Sequence, residues 1–410
     1  MSELLFHFDV VCPYAWLASL QVEAFAAEHG MTVRHRPVLL GGLLRHFGGP
    51  DDPNRVQSPA RARMTRLDIV RSAALHGRAI EVPAAHPRRT LDAMRLVIAA
   101  PEHDRVRLAA ALFSAYWEQG RDVADRAVLA EIATAHGLAI AAIDDPAVKD
   151  ELRARTDEAA QRGVFGVPTF SVGDTNVWGQ DRMDVLARAI GAPPRDPARA
   201  IGTWSPPAAP ATVRFFHDVS SPFSYLASTQ IERVCKAGGA TLERVPILLG
   251  ALFRDIGTAD VPLFEMHPAK RAWVGRDLED WAALWGVPFR FPSTFPIRSV
   301  LPQRVMIAEP AATAAIHRAA WVDDRPVALR EVLAQVLDEA GLPARDLLAA
   351  AESETVKAAL RTNTERAHAA GACGVPSYEV LRPSAAPVLL WGQDRLGMLA
   401  STLAGFQPRP

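Results

Sequence analysis

The sequence predicts an α/β chain in which one domain is used twice. Three observations carry this. Sliding the 410 residues by 209 positions lays Asp9 on Asp218, Pro13 on Pro222 and Leu17 on Leu226, and lays "RPVLLGGLLR" (36–45) on "VPILLGALFR" (245–254). Within each copy the apolar spacing runs from strand to helix and back to strand. Between the copies lies "GAPPRDPARAIGTWSPPAAPAT" (191–212), a proline-rich stretch that reads as a stiff, exposed linker.

Taken in order, each copy opens with a short apolar strand, "LLFHFDVV" or "TVRFFHDV". A helix follows, "AWLASLQVEAFAAEHG" or "FSYLASTQIERVCKAGG", stopped by glycine. The second strand is "TVRHRPVLL" or "TLERVPILL". A β-α-β unit implies a parallel pair with a right-handed crossover. The next hundred or so residues show helical spacing and are too long for a loop. "GVPTFSVGDTNVWG" then reads as two strands joined by a Gly-Asp turn, and a last helix begins near "QDRMDVLARAI". This is the thioredoxin-like order with a helical domain inserted between its halves. It places one domain at 1–192 with a helical insertion at about 50–162, a linker at 193–210, and a second domain at 211–410 with an insertion at about 260–370.

Bulk composition narrows the function classes. The chain is 49% hydrophobic and 22% charged with net charge −1, so no basic field invites nucleic acid. No stretch approaches a membrane span, and the N-terminus lacks a secretory pattern. Three cysteines make no disulfide scaffold, and the expectation is a reduced, cytoplasmic protein acting on a small molecule. No His/Cys/Asp group has metal-ligand spacing.

The chemistry-bearing residues cluster in three motifs. The first helix of a β-α-β unit starts at the sheet edge where ligands bind, with its N–H groups pointing there. "CPYA" puts Cys12 at that start and "SPFS" puts Ser221. A thiolate there is stabilised and its pKa falls, while an inert buried cysteine is the alternative reading of Cys12. Three residues on stand Ala15 and Ser224, so neither copy closes a local disulfide. Ser221 instead suits donating a hydrogen bond to a bound thiolate, as in a glutathione site. The second motif, "GVP", suggests cis prolines at Pro168 and Pro376, with Val167 and Val375 presenting backbone groups to a peptide ligand. The third, "WGQDR", offers Gln180 and Asp181, or Gln393 and Asp394, to an α-ammonium group; a plain helix cap is the alternative for each aspartate.

These residues resemble the 2-hydroxychromene-2-carboxylate isomerases and kappa-class glutathione transferases, a DsbA-like branch of the thioredoxin superfamily. The specific parts are "DVSSPFSYL", "LLGALFR", "AKRAW", "WGVPFRFPSTFP", "GVPS" and "WGQDR" of the second copy. The resemblance implies that Ser221 bonds the glutathione thiolate, Lys270 approaches a glutathione carboxylate, Val375 pairs with its cysteinyl backbone and Asp394 takes its γ-glutamyl end. Two departures stand out. Arg298 and Arg89 replace the asparagine the family carries after "FP", and Arg298 is read as a clamp for a substrate carboxylate. The first copy has Cys12 for the serine and Arg61 for the lysine.

The implied activity is a glutathione-dependent isomerase of an aromatic-derived carboxylate, with Ser221, Cys12 and Arg298 as catalytic candidates. The alternatives are a kappa-like transferase, a monothiol oxidoreductase working through Cys12, and a chain in which one copy is only the partner in an intrachain pseudo-dimer, with further homo-oligomerisation possible. Cys235 reads as structural and Cys373 as a lesser candidate. His7 and His217 fall one register apart, and the aligned pairs Trp16/Tyr225 and Trp178/Trp391 read as core.

Overall fold

A computed structural model describes residues 3–49, 57–205, 209–383 and 385–408. Residues 206–208 of the expected linker, 50–56 at the start of the first expected insertion and Ser384 in "LRPSAAP" lie outside the described residues. The chain divides into two compact units. Unit 1 takes Met1–Val56, Ile69–Pro194 and His267–Ala272; unit 2 takes Gln57–Asp68, Arg195–Met266 and Trp273–Pro410.

Each unit holds one four-stranded sheet. In unit 1 the strands are β1 (Glu3–Phe8), β2 (Thr32–Pro37), β3 (Thr169–Val172) and β4 (Thr175–Trp178), in the order β2-β1-β3-β4. β1 pairs parallel to β2, with Phe6 opposite His35, and antiparallel to β3, with Phe6 opposite Phe170. Unit 2 repeats this with β5 (Thr212–His217), β6 (Thr241–Pro246), β7 (Ser377–Leu381) and β8 (Val388–Trp391), in the order β6-β5-β7-β8. The helices Pro59–Leu75, Leu91–Ala99, Arg105–Trp117, Arg126–Ala135 and Pro146–Gln161 fall between β2 and β3 in the sequence, as the helical periodicity predicts.

Two details differ from the sequence reading. The helix expected over 15–30 is two, Pro13–Ser19 and Val22–Glu28. Ser19 Oγ donates back to the Trp16 carbonyl at 2.7 Å, and Gln21 Nε2 reaches across to the Gln180 carbonyl at 2.8 Å. Such back-bonding bends a helix; Thr229 does the same to Leu226 in unit 2. Short helices, Leu40–His46 and Leu249–Asp255, also follow β2 and β6. Two glycines hid the first from periodicity, and a buried aspartate described below holds its first N–H.

Trp16 and Tyr225 are buried, as the core reading expected. In unit 1 Phe6 stacks on Phe8 and Phe170, and Trp16 on Trp117. Trp117 Nε1 donates to the Val10 carbonyl at 2.8 Å, and Trp321 Nε1 to Val219 at 2.7 Å, so the inserted helices are pinned at the loop after the first strand in both units. No helix among the described residues is long and apolar enough to cross a membrane.

Candidate active site

The site forms where the first strand of each unit ends and a helix begins. A buried carboxylate braces that corner. Asp9 accepts from Val11 N at 3.2 Å, Leu40 N at 2.9 Å and Thr90 Oγ1 at 2.6 Å. Asp218 accepts from Ser220 N at 2.9 Å, Leu249 N at 2.8 Å and Ser299 Oγ at 3.0 Å. One side chain thus ties the strand end, the second crossover and the segment after "HP" or "FP". Burial raises both aspartate pKa values against the pull of these hydrogen bonds. The spacing Asp9/Thr90 and Asp218/Ser299 carried that signal in the sequence, and sequence reasoning assigned it no role.

The residue at the helix start differs between the units. Ser221 caps Pro222–Ser228 with extended backbone, accepts from Ser224 N at 3.3 Å and donates to the Val375 carbonyl at 3.2 Å. Cys12 caps Pro13–Ser19 with the same backbone, and its Sγ lies 3.2 Å from the Val167 carbonyl. The thiol's pKa runs against expectation. Burial, reinforced by Asp9, outweighs the N–H groups of Ala15 and Tyr14 and pushes it up to about 12. The helix terminus does not compensate for lost water here, so Cys12 stays protonated.

The Val167–Pro168 and Val375–Pro376 bonds are both cis. So are His86–Pro87 and Phe295–Pro296, which the sequence reading did not single out. Val375 is 5% exposed, and among the described residues its N–H donates to no protein acceptor. Backbone N–H groups of buried residues rarely lack a partner, and an extended peptide is one kind of ligand that can accept from such a donor. Pro376 O accepts from Gly392 N at 3.0 Å, joining "GVP" to "WGQDR". The motifs are also sterically matched. A Cβ at Gly374 would stand 2.9 Å from Trp391 Nε1, and one at Gly166 would stand 3.0 Å from Trp178 Nε1. Gly392 and Gly179 hold φ of +111° and +113° at the following turn.

Trp391 and Trp178 are only partly buried. Trp391 packs against the core of unit 2 and Trp178 against Phe165, as the core reading expected, and each ring also faces a cation. The Arg61 guanidinium lies 4.8 Å from the Trp391 ring within unit 2. Lys270 Nζ lies 5.8 Å from the Trp178 ring within unit 1. The structure thus places Lys270 with the Cys12 copy of "WGQDR" and Arg61 with the Ser221 copy, the reverse of the assignment by position in the repeat. Separation along the chain gave no sign of this exchange.

The remaining candidates divide. Asp394 Oδ1 pairs with Arg395 Nη1 at 3.2 Å, and Arg395 grips Asp68 with two nitrogens, one at 2.8 Å. Asp181 pairs with Arg182 at 2.7 Å. Arg182 itself takes the N-cap position of Met183–Ala189 and makes no side-chain cap bond. Gln180 and Gln393 are buried, and Gln180 bonds Gln21. Arg298 and Arg89 are exposed and form no hydrogen bond or ion pair among the described residues. Cys235 and Cys373 are buried, and burial pushes each thiol up to about 12.

Known proteins match each half separately. A kappa-class relative, glutathione S-transferase kappa 2 of Caenorhabditis elegans, is 28% identical over 47% of this chain and 91% of its own. The 2-hydroxychromene-2-carboxylate isomerase of Pseudomonas putida is 26% identical over 45% of this chain and 93% of its own. A solved 2-hydroxychromene-2-carboxylate isomerase is 24% identical, covers 46% of this chain and 94% of its own, and superposes with a TM-score of 0.43. Relatives of one-domain length thus account for about half of the chain. The DSBA-like thioredoxin domain matches it twice, at residues 3–191 and 212–404, and the chain belongs to that family.

Proposed function

We propose that unit 2 is a glutathione site serving isomerisation of an aromatic-derived carboxylate. The observation that carries this is the open, buried Val375 N–H beside a helix-capping serine hydroxyl. A peptide extending along Val375 finds a free donor there. Its own N–H takes the Val375 carbonyl, which Ser221 now occupies at 3.2 Å. Ser221 is thereby released to donate to a sulfur at the helix start. Arg61, held over Trp391, takes the carboxylate role that position in the repeat gave to Lys270. Val375, Pro376 and the Gln393–Asp394 turn frame the remainder.

When bound, glutathione supplies a thiolate that adds to a conjugated acceptor and leaves again. The protein's share is to hold the sulfur ionised, to fix the peptide and to orient the acceptor. Exposed Arg298 is the residue we assign to the substrate carboxylate. The identity to the P. putida isomerase supports the isomerase reading, and that to the kappa 2 protein supports a transferase at the same site. The protonated Cys12 thiol weighs against the oxidoreductase reading.

Calorimetric titration of the full chain with glutathione tests the proposal. The expected result is saturable uptake that Ser221→Ala weakens and Cys12→Ala leaves in place. Absence of uptake, or uptake that depends on Cys12 alone, overturns it. A hydroxychromene-type acid then separates isomerase from transferase: the first leaves free glutathione constant, the second consumes it.

A further inference from the structure

Unit 1 contains a cavity of about 260 Å³ that lies apart from Cys12. Phe6 of β1, Trp16 and Phe113 are its aromatic lining, and His35 of β2, Arg78 and Glu118 also line it. The Arg78 guanidinium lies 3.7 Å from the Glu118 carboxylate.

The repeat supplies a built-in comparison. The 209-residue shift lays Phe6 on Phe215, Ser19 on Ser228, Glu23 on Glu232 and His35 on Arg244. In unit 2 the long Arg244 side chain crosses this place. Its guanidinium lies 5.9 Å from the Phe215 ring and donates to Ser228 Oγ at 3.1 Å and Glu232 Oε1 at 2.8 Å. In unit 1 the shorter His35 stands edge-on to Phe6 at 5.6 Å, with Nε2 3.6 Å from Glu23, and Ser19 turns back to the Trp16 carbonyl. The exchange of arginine for histidine removes the group that spans these partners.

We propose that this cavity is a second small-molecule site, taking a monocyclic aromatic with one hydrogen-bonding substituent. The volume sets the size: about 150 Å³ of apolar cavity accepts benzene, and drug-sized pockets start near about 300 Å³. The aromatic walls set the ring, since Phe and Trp pack rings edge-to-face or offset. His35 sets the substituent. Burial holds its pKa down at about 4, so the imidazole is neutral and offers one donor and one acceptor.

Phenol is the probe, titrated into the full chain by equilibrium dialysis. The expected result is one saturable equivalent whose affinity falls at least tenfold in His35→Arg, which reinstates the unit 2 arrangement. The reciprocal Arg244→His adds a second equivalent. Thermal unfolding checks that each variant folds; if His35→Arg does not, Ala109→Leu fills the same cavity from the facing helix and carries the same expectation. Non-saturable uptake by the parent chain, or phenol affinity unchanged by a folded filling variant, overturns the proposal. Neither outcome depends on whether glutathione binds.

Discussion

In unit 1 Asp9 ties Val11, Leu40 and Thr90 together; in unit 2 Asp218 ties Ser220, Leu249 and Ser299 in the same way. The anchoring tryptophans Trp117 and Trp321 match equally well. Yet the side chains between these anchors diverge. Where unit 1 packs Phe8 against Phe113 at 5.7 Å, unit 2 sets His217 against His317 at 5.8 Å. Gln303 of unit 2 bonds the carbonyls of His217 and Ile247, and the shift lays it on apolar Met94. At the helix start unit 1 carries the Cys12 thiol and unit 2 the Ser221 hydroxyl. The frame that fixes backbone geometry is repeated, while the residue at the helix start and the layer over the sheet differ.

The largest break between the halves is expected at Ser221. Removing one preorganised donor to a developing or bound anion costs about 10²–10³ in rate. Ser221→Ala should therefore lower turnover by about 10²-fold and raise the pKa of the bound thiol, read as a shift in the thiolate's ultraviolet absorbance against pH. Unchanged turnover would falsify the assignment of the sulfur to this hydroxyl.

Next comes the histidine pair. Both rings are fully buried, and none of their nitrogens has a hydrogen-bond partner among the described residues. Each unsatisfied buried polar group costs about 1–3 kcal/mol. His217→Phe with His317→Phe, copying unit 1, is expected to stabilise the protein by about 1–3 kcal/mol in urea unfolding at neutral pH. The pair also sets an acid slope. Burial, with the charge of Arg244 adding to it, lowers His317 to about 3 and His217 well below its ordinary value. The unfolded chain then binds more protons than the folded one below about pH 6.5, so stability falls with pH by about 1.4 kcal/mol per unit for each histidine. For His317 that loss continues down to about pH 3. The double variant should lose this part of the slope and keep the part due to His7 and His35 of unit 1, lowered by burial to about 3 and about 4. Identical pH slopes in the two proteins would show that the pair does not titrate on unfolding.

Much of this frame is legible in the chain because it is written twice. Short apolar runs locate β1 and β5, and a repeated "GVP" locates the strand entry. What stayed hidden are contacts whose partners lie far apart in sequence. Arg61 and Trp391 are a case: nothing local links them, and the shift by 209 lays Arg61 on Lys270, which puts the lysine rather than the arginine in the same copy as Trp391. The raised pKa of Cys12 is another, since a helix-start position argues for a thiolate until the depth of burial is known. Asp9 and Asp218 carried a readable signal, but an aligned aspartate reads as a ligand or a brace equally well.

The cation exchange gives a sharper comparison of smaller size. Arg61→Ala should weaken glutathione uptake at the Ser221 site by about tenfold, as expected for one charge-assisted contact, with Arg61→Lys recovering part of it. Lys270→Ala, placed with Trp178 in unit 1, should leave that site unchanged. The opposite pattern would restore the assignment by repeat position.

The smallest effect is expected at Cys12, and it is diagnostic because it is small. With its pKa near about 12, the thiol is ionised to only about one part in 10⁴ at pH 8. Iodoacetamide should therefore modify Cys12 more than about 100-fold slower than a free thiol, and denaturant should abolish the difference. Cys12→Ala should leave turnover of the Ser221 site within about twofold, since the two side chains belong to different units. Rapid labelling of the folded protein would mean that the first helix does ionise its cysteine. The halves would then differ in kind of chemistry, and a thiol-exchange activity in unit 1 would have to be sought beside the thiolate binding proposed for unit 2.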